Sequence, residues 1–337
     1  MARPLAPLAL TMGEPGGVGA EIAIKAWNAL RGQGLSFFLI DDPLRLEAMG
    51  APVARLSSPL DAVSHFPSAL PVLPLPQRVE ARFGEAAPRS AEAVTASIEK
   101  AVDAALCGEA SAVVTNPIHK AALQAAGFDF PGHTEYLAAL TEKARMPGGR
   151  RRGPVMMLAA TDLRTVPLTV HIPLRDVPMA LTVDVIVEKA LVVAEALTWD
   201  FGVAAPRLAI AGLNPHAGEG GAIGSEERDV IVPAVARLRA EHAIDATGPL
   251  PADTMFHAAA RARYDAALCM YHDQALIPIK TLAFFDAVNV TLGLPIIRTS
   301  PDHGTALDIA GKGIADPSSL IAALHLAADL AARRLRS

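Results

Sequence analysis

Cysteine is scarce in this sequence, with only Cys107 and Cys269 among 337 residues. Two cysteines cannot build a disulfide framework or a cysteine-rich metal site. Their scarcity favours a reducing compartment, so we expect a cytoplasmic protein. The first apolar run is interrupted by Pro7 and Gly13, whereas a signal peptide needs a longer apolar stretch.

Long apolar runs and an excess of positive charge are also missing. No stretch of about 18 apolar residues occurs, so we predict no transmembrane helix. Basic residues number 30 and acidic residues 35, which gives a formal net charge of −5. This mild negative charge argues against a protein held on nucleic acid by bulk positive charge. An anionic ligand must therefore be bound by a few well-placed groups.

Hydrophobic residues make up 51% of the chain and charged residues 19%, which is the balance of an ordered protein. The length favours two domains. Short apolar runs alternate with helical patterns, and this alternation predicts an α/β fold with a mostly parallel sheet. The predicted strands are 5–11, 36–40, 112–115, 154–159, 166–170, 207–212 and 266–271; the predicted helices are 18–30, 90–106, 183–197, 225–239 and 318–335. We interpret the proline-rich stretch 71–88 and the segment 146–154 as loops.

A glycine-rich segment, Gly13-Glu-Pro-Gly-Gly-Val-Gly19, lies between the first predicted strand and the first predicted helix. Its spacing matches neither a Walker loop nor a dinucleotide-binding fingerprint. The glycines either let backbone N–H groups approach an anion at the helix N-terminus or serve a tight, closely packed turn. The sequence leaves both interpretations open.

Two further polar motifs are candidates for ligand binding. Thr115-Asn-Pro-Ile-His-Lys120 leaves a strand, where open α/β sheets bind ligands, although its Asn-Pro pair is also typical of a helix N-terminus. His133 and Thr134 stand side by side and suit an anionic oxygen, although Thr134 is equally suited to cap the helix that follows.

The most informative feature is a set of three histidines that each follow an apolar run: His171, His216 and His272. Strand ends along one edge of a parallel sheet would bring them together. Three imidazoles suit a borderline divalent ion such as Zn, Co, Ni or Fe, and they leave a coordination position open, as a catalytic site requires. Asp273 and Glu219 are either carboxylates that orient the imidazoles or plain surface residues.

Two cations, Lys280 and Arg298, lie in the mostly apolar segment 275–305. A cation in apolar surroundings costs free energy unless it meets an anion. Arginine suits bidentate contact with a carboxylate or phosphate, and lysine acts as a point charge. We therefore expect an anionic ligand, with structural salt bridges as the alternative.

Six motifs resemble the 4-hydroxythreonine-4-phosphate dehydrogenase (PdxA) family, which works in pyridoxal phosphate biosynthesis. They occur in the family's order and span nearly the whole chain. The motifs are Gly13–Gly19, Asn116–Lys120, Gly132–Glu135, Gly212–Gly220, Tyr271–Gln274 and the segment from Val288 through Thr305.

The resemblance implies an isocitrate dehydrogenase-like fold of two α/β/α domains with the active site in the cleft between them. The implied domains are residues 1–130 plus 301–337, with the glycine-rich loop, and residues 131–300, with the metal ligands and the dimer interface. By resemblance, the metal ligands are His171, His216 and His272, and each site holds one divalent ion such as Zn, Mg or Co. The implied substrate contacts are His133, Thr134, Lys280, Asn289 and Arg298.

The resemblance also implies a homodimer in which His272 completes the neighbouring subunit's site, and an NAD or NADP cofactor with no contacting residues assigned. The implied reaction is the metal-assisted oxidation of 4-phosphohydroxy-L-threonine to 2-amino-3-oxo-4-phosphooxybutyrate, which decarboxylates to 3-amino-2-oxopropyl phosphate. Lys280 is a candidate general base. Asn116 replaces the small residue that the family often has there, and we expect it to narrow the cleft slightly.

Two alternatives to this reaction stay open on the sequence. The first is a dehydrogenase of a four-carbon sugar-acid phosphate, such as threonate or erythronate 4-phosphate. The second is a non-redox enzyme on a related fold, such as a phosphate acyltransferase or a metal phosphohydrolase. We expect neither nucleic acid nor a membrane as a partner.

Overall fold

The structure, a computed structural model, describes residues 5–336. These residues form twelve strands, numbered here in chain order. They are β1 (Leu8–Thr11), β2 (Phe37–Asp41), β3 (Val53–Arg55), β4 (Leu70–Pro74), β5 (Val113–Val114), β6 (Val155–Ala159), β7 (Arg164–Pro167), β8 (Arg207–Ala211), β9 (Asp245–Leu250), β10 (Ala266–Cys269), β11 (Val288–Leu292) and β12 (Arg298–Pro301).

Twelve α-helices accompany the strands within the same residues. They are α1 (Gly19–Leu30), α2 (Pro43–Ala48), α3 (Ala62–His65), α4 (Ala91–Leu106), α5 (Lys120–Ala125), α6 (His133–Leu140), α7 (Val177–Ala180), α8 (Val183–Trp199), α9 (Val232–His242), α10 (Ala258–Arg261), α11 (His272–Leu282) and α12 (Ser318–Arg334). A π-helical segment, Glu227–Ile231, leads directly into α9, and short 3₁₀ turns occupy several connections.

The chain divides into two compact units. Unit 1 comprises the described residues up to Arg145 together with Leu294–Arg336, and unit 2 comprises Met146–Gly293. The sequence-based division placed these boundaries near residues 130 and 300. The segment that follows residue 130 lies in unit 1 because Tyr136 and Leu137 of α6 pack into the core that α4 covers, and the Tyr136 hydroxyl donates to Glu99 at 2.6 Å.

Unit 1 is built on parallel strands in the order β3-β4-β2-β1-β5-β12. Every residue of β1 and β2 is buried, as expected where a parallel sheet is covered on both faces. Ala9, Phe38 and Ile40 pack with α4. Their neighbours in the strands, Leu8 and Leu39, point to the opposite face, because successive side chains of a strand alternate between its two faces.

Unit 2 carries strands in the order β11-β6-β7-β10-β8-β9. β6 is antiparallel to both of its neighbours, whereas β7, β10, β8 and β9 are parallel. Leu268 of β10 pairs with Val166 of β7 on one side and with Ile210 of β8 on the other. The carboxyl ends of β7, β10 and β8 therefore lie next to one another on one edge.

The α/β fold class predicted from the sequence is confirmed, and strands occur in all seven predicted strand segments. The prediction of a loop over 71–88 is wrong at its start, because Leu70–Pro74 form β4 between β2 and β3. Pro71 and Pro74 have no N–H group to donate within the sheet. Burial of Val72, which is fully buried, stabilises the strand in spite of these missing hydrogen bonds.

Among the helices that the structure describes, none is both long enough and apolar enough to cross a lipid bilayer.

Candidate functional site

His171 and His272 lie side by side at the carboxyl edge of unit 2. His171 follows β7 and His272 is the first residue of α11, directly after β10. Their ring centroids are 5.9 Å apart, and both rings line a cavity of about 290 Å³. The pairing of β7 with β10 brings them together although they are distant in the sequence.

A carboxylate orients one of these two imidazoles. His272 Nδ1 lies 2.7 Å from Asp273 Oδ1. A carboxylate in this position keeps the proton on Nδ1 and leaves the Nε2 lone pair available to a metal ion. The sequence left open whether Asp273 orients an imidazole or is a plain surface residue, and this contact supports the orienting role. Among the described residues, Glu219 makes no such contact with a histidine ring.

His216 occupies an unusual turn that follows β8. The five residues from His216 to Gly220 all have positive φ angles, including the non-glycine residues His216 (54°), Ala217 (51°) and Glu219 (45°). Non-glycine residues in this region cost about 1 kcal/mol or more each. Such a turn persists only where its surroundings hold it, and its His216 side chain is exposed.

The donor chemistry at this edge fits part of a divalent-metal site. Two adjacent imidazoles, one of them held by a carboxylate, are the ligands that borderline ions prefer. Within residues 5–336, no group of three or more His, Cys, Asp or Glu side chains is placed to hold a metal ion. His216 is therefore at the neighbouring strand end but not in one cluster with the other two.

A second group of candidate side chains, which we call the cationic site, lies in unit 1 and consists of Arg298, His133, Thr134 and Lys120. Arg298 is only 3% exposed, and its Nη2 donates to Thr115 Oγ1 at 2.6 Å. Burial lowers the pKa of Arg298 to about 10, against the opposing influence of the Glu135 carboxylate. A poorly solvated guanidinium of this kind favours contact with an anion.

His133 is the neutral member of the cationic site. Burial lowers its pKa well below the usual value, and the charges of Arg298 and Lys120 lower it further. Its Nε2 is buried and has no hydrogen-bond partner among the described residues. His133 and Thr134 are the first two residues of α6, and the first N–H groups of a helix, which lack partners within it, can donate to an anion.

Lys120 is the residue of this site that sequence reasoning did not assign. The sequence marks the motif 115–120 as a candidate for ligand binding without assigning a role to His119 or Lys120. The structure explains His119 as the cap of α5, since its Nδ1 accepts from the Ala122 N–H at 3.2 Å. It places the exposed Lys120 beside His133, on whose pKa the ammonium charge acts.

The glycine-rich segment packs closely against the backbone of other segments of the chain. A Cβ at Gly16 would lie 1.9 Å from the Glu85 carbonyl oxygen, and one at Gly17 would lie 2.6 Å from that of Thr305. These positions exclude any side chain because backbone already fills the space. Of the two interpretations left open, the structure favours the packed turn.

Asn116 is also part of this packing. It is fully buried, and its Nδ2 donates to the Thr11 carbonyl oxygen at 2.9 Å. Asn116 does not cap a helix, because α5 begins later, at Lys120. Likewise Thr134 does not cap α6, since the helix already begins at His133.

The two remaining predicted substrate contacts lie in unit 2. Lys280 is in the last turn of α11, the helix that begins at His272, and its Nζ lies 5.8 Å from the centroid of the Phe284 ring. Asn289 is in β11, and its Oδ1 is buried without a hydrogen-bond partner among the residues that the structure describes. An unsatisfied buried amide oxygen points to a missing donor such as a ligand.

Comparison with known proteins places the chain among dehydrogenases. The family model described as pyridoxal phosphate biosynthetic protein PdxA matches residues 38–327. The 4-hydroxythreonine-4-phosphate dehydrogenase of Caulobacter vibrioides is 57% identical over 97% of this chain and 98% of its own length. The crystal structure of the enzyme of that name from Klebsiella pneumoniae has a TM-score of 0.84 and 36% identity, covering 97% of this chain and 98% of that one.

A structure with a different substrate is also similar. A terephthalate 1,2-cis-dihydrodiol dehydrogenase from Burkholderia xenovorans has a TM-score of 0.64 and 28% identity, covering 96% of this chain and 98% of that one. The fold and the relatives together define an α/β dehydrogenase that acts on a CH–OH group. The chain belongs to the pyridoxal phosphate biosynthetic protein PdxA family.

Proposed function

We propose that this chain oxidises 4-phosphohydroxy-L-threonine with NAD or NADP, and that the resulting β-keto acid loses CO2 to give 3-amino-2-oxopropyl phosphate. The observation that carries the proposal is the placement of imidazoles at the carboxyl edge of unit 2, where His171 follows β7 and Asp273 orients His272. The relatives of the chain are named 4-hydroxythreonine-4-phosphate dehydrogenase.

His171, His216 and His272 are the proposed ligands of one divalent ion. Such an ion would supply Lewis-acid polarisation of the substrate alcohol, and the nicotinamide would accept the hydride. The chain's own part is to present the imidazoles: Asp273 fixes the tautomer of His272. The turn 216–220 presents His216.

The anionic groups of the substrate require cationic partners. Arg298 and Lys120 of the cationic site carry positive charge, and the buried His133 Nε2 offers a hydrogen bond to an oxygen. Thr134 adds a hydroxyl at the start of α6. We assign these residues to a phosphate or carboxylate of the substrate, where a guanidinium is well suited to bidentate contact.

Lys280 and Asn289 complete the proposed substrate contacts. Both lie in unit 2 and neither is fully exposed. The buried Asn289 Oδ1 would accept a hydrogen bond from the substrate amine or hydroxyl. Lys280 is the proposed general base, which takes the proton of the alcohol as hydride leaves.

We also propose that the enzyme is a homodimer that shares its metal sites. Ile172, Leu174 and Met179, which follow His171, are 42%, 66% and 87% exposed, and Ile277 on α11 is 64% exposed. Adjacent exposed apolar side chains of this size are typical of an interaction surface. A second copy of the chain covering it would place a neighbouring subunit beside His171 and His272.

The first experiment is turnover by protein stripped of metal and reloaded in turn with Zn, Mg and Co. Nicotinamide reduction is followed with 4-phosphohydroxy-L-threonine and, in parallel, with threonate 4-phosphate. We expect His216→Ala to lose metal-dependent activity, whereas the control His325→Ala, at an exposed position in unit 1, keeps it. Full activity of His216→Ala with an intact fold would contradict the metal assignment, and faster turnover of the threonate would contradict the substrate.

The second experiment tests the shared site by mixing two inactive variants, His171→Ala and His272→Ala. If His272 comes from the partner, each heterodimer contains one intact site, so random exchange restores about a quarter of the wild-type activity. In a site built within one chain, where His272 already lies beside its own His171, no heterodimer site is intact. No recovery after proven subunit exchange would therefore contradict the sharing.

A further inference from the structure

A buried hydrogen bond joins the side chains of Arg298 and Thr115 on two neighbouring strands of unit 1. Arg298 is the first residue of β12, and its Cα pairs with that of Val113 in β5. Its Nη2 nevertheless donates to Oγ1 of Thr115, which follows the end of β5, at 2.6 Å. Because the two strands are parallel, the arginine side chain runs forward along the sheet, and its guanidinium lies at the carboxyl end of β5.

The Thr115 hydroxyl is held in place by its own backbone. The Thr115 N–H donates to the Thr299 carbonyl oxygen at 3.0 Å, and the residue is only 1% exposed. A β-branched side chain has few accessible χ1 rotamers, and the backbone bond fixes the Cα from which it projects. The hydroxyl oxygen is therefore a rigid point of attachment for the guanidinium.

The guanidinium that Thr115 holds faces the cationic site. The positive charge of Arg298 acts on the pKa of His133 at the start of α6, and the Glu135 carboxylate of the same helix acts on the pKa of Arg298. Bidentate contact with a phosphate or carboxylate requires the planar guanidinium in one orientation, because its donors form a rigid fork. A bond that holds this orientation before the anion arrives lowers the entropy lost on binding.

We propose that Thr115 is a positioning residue of the cationic site: its hydroxyl holds the Arg298 guanidinium in the orientation that binds an anionic group of the substrate. The inference rests on the proposed function, in which Arg298 contacts that group. Both residues lie in unit 1 of the same chain, so the role does not depend on which subunit supplies His272.

The first part of the test compares two substitutions of Thr115 in the metal-loaded enzyme. Thr115→Val keeps the shape of the side chain and removes its oxygen, whereas Thr115→Ser keeps the hydroxyl. We expect Thr115→Val to lower kcat/KM for 4-phosphohydroxy-L-threonine by about tenfold or more, the effect of one hydrogen bond to a charged group. Thr115→Ser should stay within about twofold of the wild type. Thr115→Ala carries the comparison if Thr115→Val does not fold.

A double-mutant cycle separates positioning from general support of the fold. Arg298→Met removes the guanidinium and leaves no group that bonds to the Thr115 hydroxyl. If Thr115 acts through Arg298, then adding Thr115→Val to Arg298→Met changes kcat/KM by no more than about twofold. A merely structural role predicts the same loss from Thr115→Val with and without the arginine.

Thr299 offers a matched control next to Arg298 in the same strand. It is fully buried, and its Oγ1 donates to the Ala323 carbonyl oxygen of α12 at 2.9 Å. Thr299→Val therefore removes a buried threonine hydrogen bond without removing a contact of the guanidinium. We expect it to lower the unfolding temperature while kcat/KM stays within about twofold of the wild type.

The outcomes distinguish this inference from the proposed function. A wild-type kcat/KM in Thr115→Val would overturn the positioning role, and so would equal losses in the two backgrounds or a tenfold loss in Thr299→Val. None of these results would affect the proposed reaction. Threonate 4-phosphate also carries a phosphate and a carboxylate, so the cycle is run with whichever of the two substrates the wild type oxidises. A wild type that oxidises neither would overturn the proposed function and this inference with it.

Discussion

His133 makes the stability of unit 1 depend on pH in a defined direction. Burial, then the Arg298 guanidinium and the Lys120 ammonium, hold the pKa of His133 well below its usual value. In the unfolded chain the same imidazole has an ordinary pKa of about 6.5. As pH falls below that value the unfolded chain takes up a proton and the folded chain does not, so the free energy of unfolding decreases.

The magnitude follows from the proton count alone. One proton taken up only by the unfolded state costs about 1.4 kcal/mol per pH unit. Each pH unit below about 6.5 therefore removes up to about 1.4 kcal/mol from the contribution of His133 to the free energy of unfolding. The loss continues until the pH reaches the lowered pKa of the folded protein, below which the slope vanishes.

The assay compares the wild type with His133→Gln, whose side chain does not titrate. Trp27 is buried in unit 1 and is the only tryptophan besides Trp199 of unit 2, so a Trp199→Phe background makes fluorescence report on unit 1. Urea unfolding at several pH values between 5 and 8 gives the free energy of unfolding of each protein. Below about pH 6.5 we expect the free energy of unfolding of the wild type to fall more steeply than that of His133→Gln, by up to about 1.4 kcal/mol per pH unit.

Equal pH slopes for the two proteins would refute the reasoning, because they would mean that folding leaves the pKa of His133 unchanged. A steeper loss in His133→Gln would refute it as well, since the sign would be reversed. Histidine NMR on the folded wild type provides an independent check, because the His133 ring should take up its proton at a lower pH than an ordinary imidazole does.

Three further predictions concern the two sites. Arg298→Gln should lower kcat/KM for the phosphorylated substrate by about a hundredfold or more, since a buried charge contact is lost, and should raise the pKa of His133; a loss below tenfold would contradict its role. Lys120→Gln should raise KM in steady-state kinetics by up to about fivefold, the effect expected when an exposed ion pair is lost. The control Lys143→Gln, at an exposed position elsewhere in unit 1, should keep the wild-type KM. Asp273→Asn should raise the cobalt Kd by about 10- to 100-fold, and an unchanged Kd in calorimetry would show that the carboxylate is dispensable.

The fold follows from the sequence where local pattern and burial agree. Parallel strands buried on both faces are continuous apolar runs, and such runs predicted strands at β1, β2 and β10. Helix α11 has Pro278 in its interior, and β9 contains a Gly-Pro pair. Both features argue locally against the structure that forms, and only tertiary packing around these segments decides otherwise.

The candidate site, like the fold, can be predicted from the sequence only in part. Histidines after apolar runs predicted a cluster at strand ends, but the strand order β7-β10-β8 decides which rings meet, and that order is set by contacts distant in sequence. The hydrogen bonds of Gln274 and Glu227 are not predictable from the sequence, because they depend on the backbone groups of other strand ends. No property of a lone glutamine or glutamate in the sequence signals such a bridge.

The histidines of this chain show why residue type alone does not fix a role. Burial and the neighbouring cations lower the pKa of His133, which favours the neutral imidazole that we propose as a hydrogen-bonding group toward an anion. His272 has a carboxylate on Nδ1, which leaves the Nε2 lone pair available to the proposed metal ion. His119 uses its Nδ1 to cap α5. The charge and the hydrogen-bond partners at one ring nitrogen thus distinguish the proposed anion contact, the proposed metal ligand and the helix cap. Those partners come from segments far away in the sequence, so the structure was needed to tell these roles apart.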